Sequence, residues 1–227
     1  MRALLVSLLL IPGLVQAGAW PRAAGEIYLS LSQEVDLDGW TGIYAEYGAP
    51  RDLTFGIDIG GHVARGGGAL FIGDDEEEDA TDGRAIAFLR VPLRVGTTRL
   101  PQWKFAAEVG LGADWDDDDT DGRLRLGLSV GRPLTTPLGH GWTNLDAKVE
   151  VSDTETARFG AGIVTGFRVT TRQTVELGLF AEREDTTSAA FLPTYQIGVP
   201  RLGDLRFGAT IRFDGPTDLR IGFARTF

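Results

Sequence analysis

The sequence predicts an all-β fold: a transmembrane, antiparallel, up-and-down β-barrel of about twelve strands. Three observations predict it. Segments of about ten residues alternate apolar and polar positions along the chain, separated by clusters of Gly, Pro, Asp and Thr. The polar face of these segments interleaves charged side chains with glycines, whereas the apolar face is nearly pure. The connections also differ by turns, since every second one is acidic and those between carry arginines and few acids.

Ahead of the barrel, residues 1–19 read as a secretory signal. Arg2 supplies the positive start and ALLVSLLLIPGLV the apolar core. Ala17-Gly18-Ala19 is a small-residue cleavage site before Trp20, with a cut after Ala17 as the neighbouring alternative. The apolar run is shorter than the ~20 residues that a membrane-spanning helix needs. Residues 20–227 are left for the barrel, and the absence of cysteine excludes a disulfide scaffold.

Period-two segments then follow near 24–34, 40–48, 51–64, 84–95, 102–114, 123–133, 142–152, 156–168, 172–183, 190–199, 204–213 and 218–227. Each approaches the length that a tilted membrane strand requires. In the fifth, Trp103, Phe105, Ala107, Val109, Leu111 and Ala113 share one face, and Lys104, Glu108, Gly110 and Gly112 the other. The sixth sets Leu124, Leu126, Leu128 and Val130 against Arg123, Arg125, Gly127 and Ser129. The eighth sets Phe159, Ala161, Ile163 and Phe167 against Arg158, Gly160, Gly162 and Arg168. The eleventh sets Leu205, Phe207, Ala209 and Ile211 against Arg206, Gly208, Thr210 and Arg212. A soluble sandwich also alternates, but its polar face meets bulk water and carries long solvated side chains. Arginines among glycines fit a confined interior, and a pure apolar face fits lipid. Closing the sheet removes edges whose unpaired backbone groups lipid cannot satisfy.

The formal charge of −10 is concentrated in two places. Segment 65–83 carries seven acids and one arginine, segment 114–122 six acids and no base, and the remainder sums to about +2. Acidity confined to two connections argues against a nucleic-acid partner. Both segments lead into Thr-Asp-Gly-Arg, at 81–84 and 120–123, and both follow odd-numbered strands, as do DTET, EREDTTSAA and DGPTD. GAPRD, GTTRLPQ, RPLTTPLGHG, TTRQ and RLGD make the other connections. Bacterial outer-membrane barrels have short periplasmic turns and longer outer loops, and an even strand number returns both termini to the periplasm. The two acid-rich segments are therefore read as outer loops, kept out of any packed interior by the repulsion among their carboxylates.

Trp103 and Trp115 bracket the fifth strand on its apolar face. Steps of ~3.3 Å at a tilt of roughly 40° separate them by about 30 Å along the normal, near the ~25 Å apolar band and its aromatic girdles. Trp40 and Trp142, also at strand ends, are assigned to the same girdles.

The chain closes with DLRIGFARTF, in which Leu219, Ile221, Phe223 and Phe227 share one face and the last residue is aromatic. This stretch resembles the C-terminal recognition signal of Gram-negative outer-membrane β-barrel proteins. The resemblance implies an outer-membrane location, contact with membrane lipids and lipopolysaccharide, and insertion by the barrel-assembly machinery. Phe227, Phe223 and Ile221 would form the assembly signal, with Arg225 departing from the usual apolar series. The stretch AWPRAAGEIYLSLSQ is similar to the mature start of proteobacterial barrels grouped with phenol-degradation-pathway transport proteins.

Enzymes of this barrel class, outer-membrane phospholipase and lipid A deacylases, resemble one another in holding a histidine close to a serine nucleophile. Here His140 lies in PLGHGWT with no serine nearby, and His62, on the polar face with Asp58, has none within ten residues. No enzymatic activity is expected. Asp117, Asp119, Asp121 and Gly122 match the opening of a D-x-D-x-D-G calcium loop, but its twelfth position is Leu128 instead of a bidentate glutamate. No cofactor is expected beyond weak Ca2+ binding at these acidic loops.

The polar face gathers Arg90, Arg94, Lys104, Arg123, Arg125, Lys148, Arg158, Arg168, Arg206, Arg212 and Arg220 against Glu26, Glu46, Asp58, Glu108, Asp146, Glu150, Glu176 and Glu182. Charges inside a membrane protein line a pathway or pair with one another. Strands eleven and twelve are read as contributing only bases, strands one to three only acids and His62, and those walls adjoin on closure. Arg206, Arg212, Arg220, Arg123 and Arg125 are thus candidate selectivity residues facing Glu26, Glu46 and Asp58. The expected function is a small porin-like channel for small polar or charged solutes. The alternative is a closed structural barrel whose acidic surface loops serve envelope stability or weak divalent-cation binding.

Overall fold

The computed structural model describes residues 18–35, 39–62, 82–94, 102–116, 119–136, 139–152 and 156–227. Its strands are β1 Ile27–Glu34, β2 Trp40–Ala49, β3 Leu53–His62, β4 Gly83–Pro92, β5 Lys104–Asp116 and β6 Asp119–Thr136. They continue as β7 Gly139–Ser152, β8 Arg158–Arg168, β9 Gln173–Arg183, β10 Thr187–Val199, β11 Gly203–Arg212 and β12 Thr217–Thr226. Every strand pairs antiparallel with the next and β12 returns to β1, so the sheet is a closed barrel. Each segment expected from the alternation holds one of these strands. Turn chemistry separates them: Arg51 and Asp52 adopt left-handed φ of 68° and 62° between β2 and β3, and Arg201 (φ 70°) with Gly203 (φ 132°) reverses the chain between β10 and β11.

The seam runs from Tyr28 opposite Thr226 to Glu34 opposite Arg220. It ends on the last residue, where the Phe227 amide donates to the Ile27 carbonyl at 2.8 Å and the Ile27 amide returns a bond to the Phe227 carbonyl at 3.3 Å. Arg225 stacks its guanidinium 4.5 Å from the Phe227 ring centroid. The basic interruption of the terminal apolar series thereby covers the terminal aromatic.

The wall is inverted relative to a soluble protein. Leu111, Leu128, Leu145, Phe159 and Leu219 are at least half exposed, whereas Glu46, Arg90, Arg123, Arg125 and Glu150 are buried. An apolar exterior of this extent is solvated by lipid and would associate in water. Both described ends of the chain lie at the barrel mouth that also holds the β2–β3, β8–β9 and β10–β11 turns.

Three sequence expectations are corrected. The stretch 114–122 is not a loop excluded from packing: β5 reaches Asp116, β6 starts at Asp119, and Asp114 pairs in register with Asp121. Asp114 and Asp121 both have the lumen-facing parity of this pair, and Asp114 is compensated there by Arg123 at 2.9 Å. The connection expected at RPLTTPLGHG is likewise a long hairpin, with Thr136 opposite Gly139. Finally, only Trp103 and Trp115 suit a girdle. Trp115 lies over Gly83 on the outward face, and Arg132 stacks 5.3 Å from the Trp103 ring. Trp40 and Trp142 occupy positions of the opposite parity, so their rings turn inward over Gly60 and Gly166, with Trp142 buried. Nearness to a strand end sets depth, but parity sets the side. Of the acid-rich segment 65–83 only Asp82 and Gly83 are among the described residues, and residues 1–17 of the leader and Asp117 lie outside them.

Deleting Phe227 removes two seam hydrogen bonds worth about 1 kcal/mol each and the ring beneath Arg225. The folded, heat-modifiable fraction on unboiled gels is expected to fall. An unchanged folded fraction would show that closure does not depend on the terminal residue.

Candidate functional site: the barrel lumen

The lumen-facing glycines have a mechanical role. A Cβ added at Gly56, Gly60, Gly162 or Gly166 would collide with the ring of Phe88, Trp40, Phe180 or Trp142, respectively. Each glycine is a socket in which an aromatic ring from an adjacent strand lies against the wall. Phe88 stacks on Tyr44 with centroids 5.8 Å apart, and Tyr44 meets Tyr28 edge-on at 6.3 Å. The interleaving of charge and glycine was read as confinement, and the rings supply much of that confinement.

Charges occupy the rest in three groups. Near the mouth with the termini, Glu46 is fully buried and accepts from Arg22 Nε, from Arg90 Nη1 at 2.5 Å and from the Tyr44 hydroxyl at 2.6 Å. Arg90 continues to Glu108 at 2.7 Å, and Arg22 to Glu26 at 3.4 Å. Arg22 precedes β1 and also lies 4.3 Å above the Tyr28 ring.

Higher in the lumen, Arg125 on β6 bonds Glu150 on β7 at 2.7 Å and Asp58 on β3 at 3.0 Å. Arg158 on β8 approaches Asp114 on β5 at 3.7 Å, Glu150 at 3.8 Å and Glu184 at 3.2 Å. Asp58–Arg125 and Asp114–Arg158 each skip two intervening strands, so they are chords across the lumen and not rungs along its wall.

The third group is sparser. Arg206 bonds Glu176 at 2.7 Å, and Arg212 bonds Asp218 and, at 3.3 Å, Glu34. The wall expected to hold only bases therefore also carries acids, because Asp218 on β12 and Asp204 on β11 share it. The pairing of Arg206, Arg212 and Arg220 with Glu26, Glu46 and Asp58 is not the one formed: those acids go to Arg22, Arg90, Arg84 and Arg125. Arg220 makes no hydrogen bond or ion pair among the described residues; Arg206, Glu34 and Glu176 are its charged neighbours. Glu34, Asp114 and Arg22 escaped the sequence reading because they stand near strand ends or ahead of β1, where alternation is weakest.

The chords cross the lumen and leave a cavity of about 640 Å³ that residues of all twelve strands border. Arg206, Arg212 and Arg220 border it, with Ser30, Ser32 and Thr194 among its hydroxyls. Its lining reaches from Glu182, Ser188 and Asp214 at one level to Gly18 and Tyr28 at the other.

His62 does not pair with Asp58. Its Nδ1 lies 3.0 Å from the Asp82 carboxylate, and Trp40 packs edge-on at 5.0 Å. Asp119 and Asp121 stand on extended β6, spaced along one strand instead of wrapped in a loop. Among the described residues no group of three or more His, Asp or Glu is arranged to hold a metal ion.

No family model matches the chain, and no curated relative does. Among solved structures the fold is similar to that of the KdgM porin, with a TM-score of 0.62 and 7% identity over 88% of this chain and 99% of that one. The KdgM porin in complex with disordered oligogalacturonate superposes with a TM-score of 0.60 and 8% identity over the same shares. A third similar structure is the COG4313 outer membrane channel from Pseudomonas putida F1, with a TM-score of 0.52 and 13% identity over 95% of this chain and 100% of that one. The chain thus has the fold of bacterial outer-membrane β-barrels.

Glu46 pairs with two buried arginines at once. Glu46→Gln is expected to cost about 3–5 kcal/mol, the range for breaking a buried pair, read as a lower urea midpoint for loss of the folded gel band. Glu182→Gln, at an exposed carboxylate 3.6 Å from Arg158, should change it by less than about 1 kcal/mol. Equal effects would mean that burial does not rank these pairs.

Proposed function

We propose that this chain is a small outer-membrane channel passing small polar or charged solutes through its lumen. The observation that carries this reading is the cavity of about 640 Å³ whose lining extends from Asp214 and Ser188 to Tyr28 and Gly18. Hydroxyls and guanidinium groups along it can replace part of a solute's hydration shell. The ion pairs that cross the lumen limit its width. The similar solved structures are a porin and a channel, which agrees with this use of the fold.

Selectivity is assigned to Arg220. Arg206 and Arg212 are held by acids, so their charge is largely cancelled where it stands, whereas Arg220 borders the cavity and has no ion-pair partner among the described residues. In planar bilayers the wild-type protein should conduct. Arg220→Gln should shift the reversal potential under a salt gradient toward cations, by an amount that shrinks at high salt through screening, and leave heat stability near wild type. Arg206→Gln should instead lower heat stability by stranding Glu176. A wild-type barrel without conductance would select the closed structural barrel, with its acidic loops serving the envelope.

Orientation can be tested on the same protein, because it has no cysteine of its own. Single cysteines at Thr186 or Asp214 should react with a membrane-impermeant maleimide on intact cells, and one at Arg201 only after the outer membrane is broken. The reverse pattern would place the termini outside.

A further inference from the structure

Ahead of β1 the chain passes into the lumen mouth instead of away from it. Ala19 is almost wholly buried, and its amide donates to Asn144 Oδ1 at 3.1 Å. The Trp20 ring lies over Gly131, where an added Cβ would strike it, and the Ala23 carbonyl rests on Gly48 in the same way. Arg22 is locked to Glu46, and its amide donates to Thr54 Oγ1 at 3.1 Å. Residues 18–23 are thus part of the packed lumen, held by four different strands.

A charge is left over beside this strap. Asp146 accepts from Ser129 Oγ at 2.5 Å and from Asn144 Nδ2, both neutral donors. Among the described residues no ion pair reaches it, whereas Glu108 and Glu150, which also face the lumen, each have an arginine. A carboxylate taken from water without a cation is costly. Gly18 stands against this point: it adopts a left-handed φ of 82°, and a Cβ there would collide with the same Asn144 amide that bonds Asp146. Gly18, Asp146 and Ser129 also border one cavity.

We propose that the leader is cut between Ala17 and Gly18, and that the new α-ammonium of Gly18 is the cation that Asp146 lacks. Water adds across the Ala17–Gly18 peptide bond, the departing leader keeps the carboxylate, and the freed amine is protonated. The small-residue rule alone favours the cut after Ala19, with Ala17 and Ala19 at the two recognition positions. That cut would remove the buried Ala19 and its bond to Asn144, and would leave Asp146 facing a void. The cut after Ala17 also meets the rule, with Ala17 and the small apolar Val15. The mature strap is then pinned by an ion pair at each end, Gly18 to Asp146 and Arg22 to Glu46.

Two measurements test this, and neither uses conductance, so the outcome is independent of the channel reading. The intact mass of protein purified from outer membranes should match a chain starting at Gly18. A start at Trp20, or at any other residue, overturns the proposal. Mature protein refolded in detergent micelles then gives a cycle between the terminus and Asp146. Nα-acetylation of the wild type should lower the temperature at which the folded gel band is lost, and the same acetylation in Asp146→Asn should have little effect. An equal loss in both backgrounds, or no loss in the wild type, overturns the ion pair. The wild-type arm decides the matter even if Asp146→Asn does not fold.

Discussion

Lipid offers no hydrogen bonds, so every peptide group of the wall has to find its partner within the sheet. The seam between β1 and β12 meets that demand, down to the pair of bonds between Ile27 and Phe227. Much else follows from closure. With no edge left, each strand has one face toward lipid and one toward the lumen. A shift of one residue in register would carry every lumen-facing arginine of that strand into the membrane. The apolar exterior and the charged interior are therefore two views of one constraint.

Closure with twelve strands creates a second problem. Side chains fill a barrel of about eight strands, and the diameter grows with strand number. Here the extra space is taken by three kinds of group. Aromatic rings lie in glycine sockets, ion pairs such as Asp58–Arg125 run as chords between distant strands, and the strap 18–23 enters from the mouth. The space they leave is a cavity that residues of all twelve strands border, with hydroxyls and arginines among its lining.

The ion pairs do not all do the same work. Glu46 ties the strap to β4 through Arg22 and Arg90 in surroundings with little water, where losing one partner strands the others. Arg158, shared among Asp114, Glu150, Glu182 and Glu184, is a more exposed and redundant junction. The first kind fixes shape. The second tunes the potential inside the lumen and responds to salt.

Alternation is legible in the residues alone, and with it the strands, their order, the face of each mid-strand residue and the position of both described ends at one mouth. A period of two is a local property of the backbone, so it survives reading without coordinates. Mid-strand Arg125 and Glu150 were placed correctly on the lumen face for that reason, and Trp40 and Trp142 were not, because depth was taken for side. Which charges meet is settled by the closed barrel. Whether Asp58 joins Arg125 or Arg206 depends on where twelve strands close and how far a side chain reaches across the lumen. No sequence spacing carries those distances, and the entry of Arg22 into the lumen is invisible until the wall around Glu46 exists.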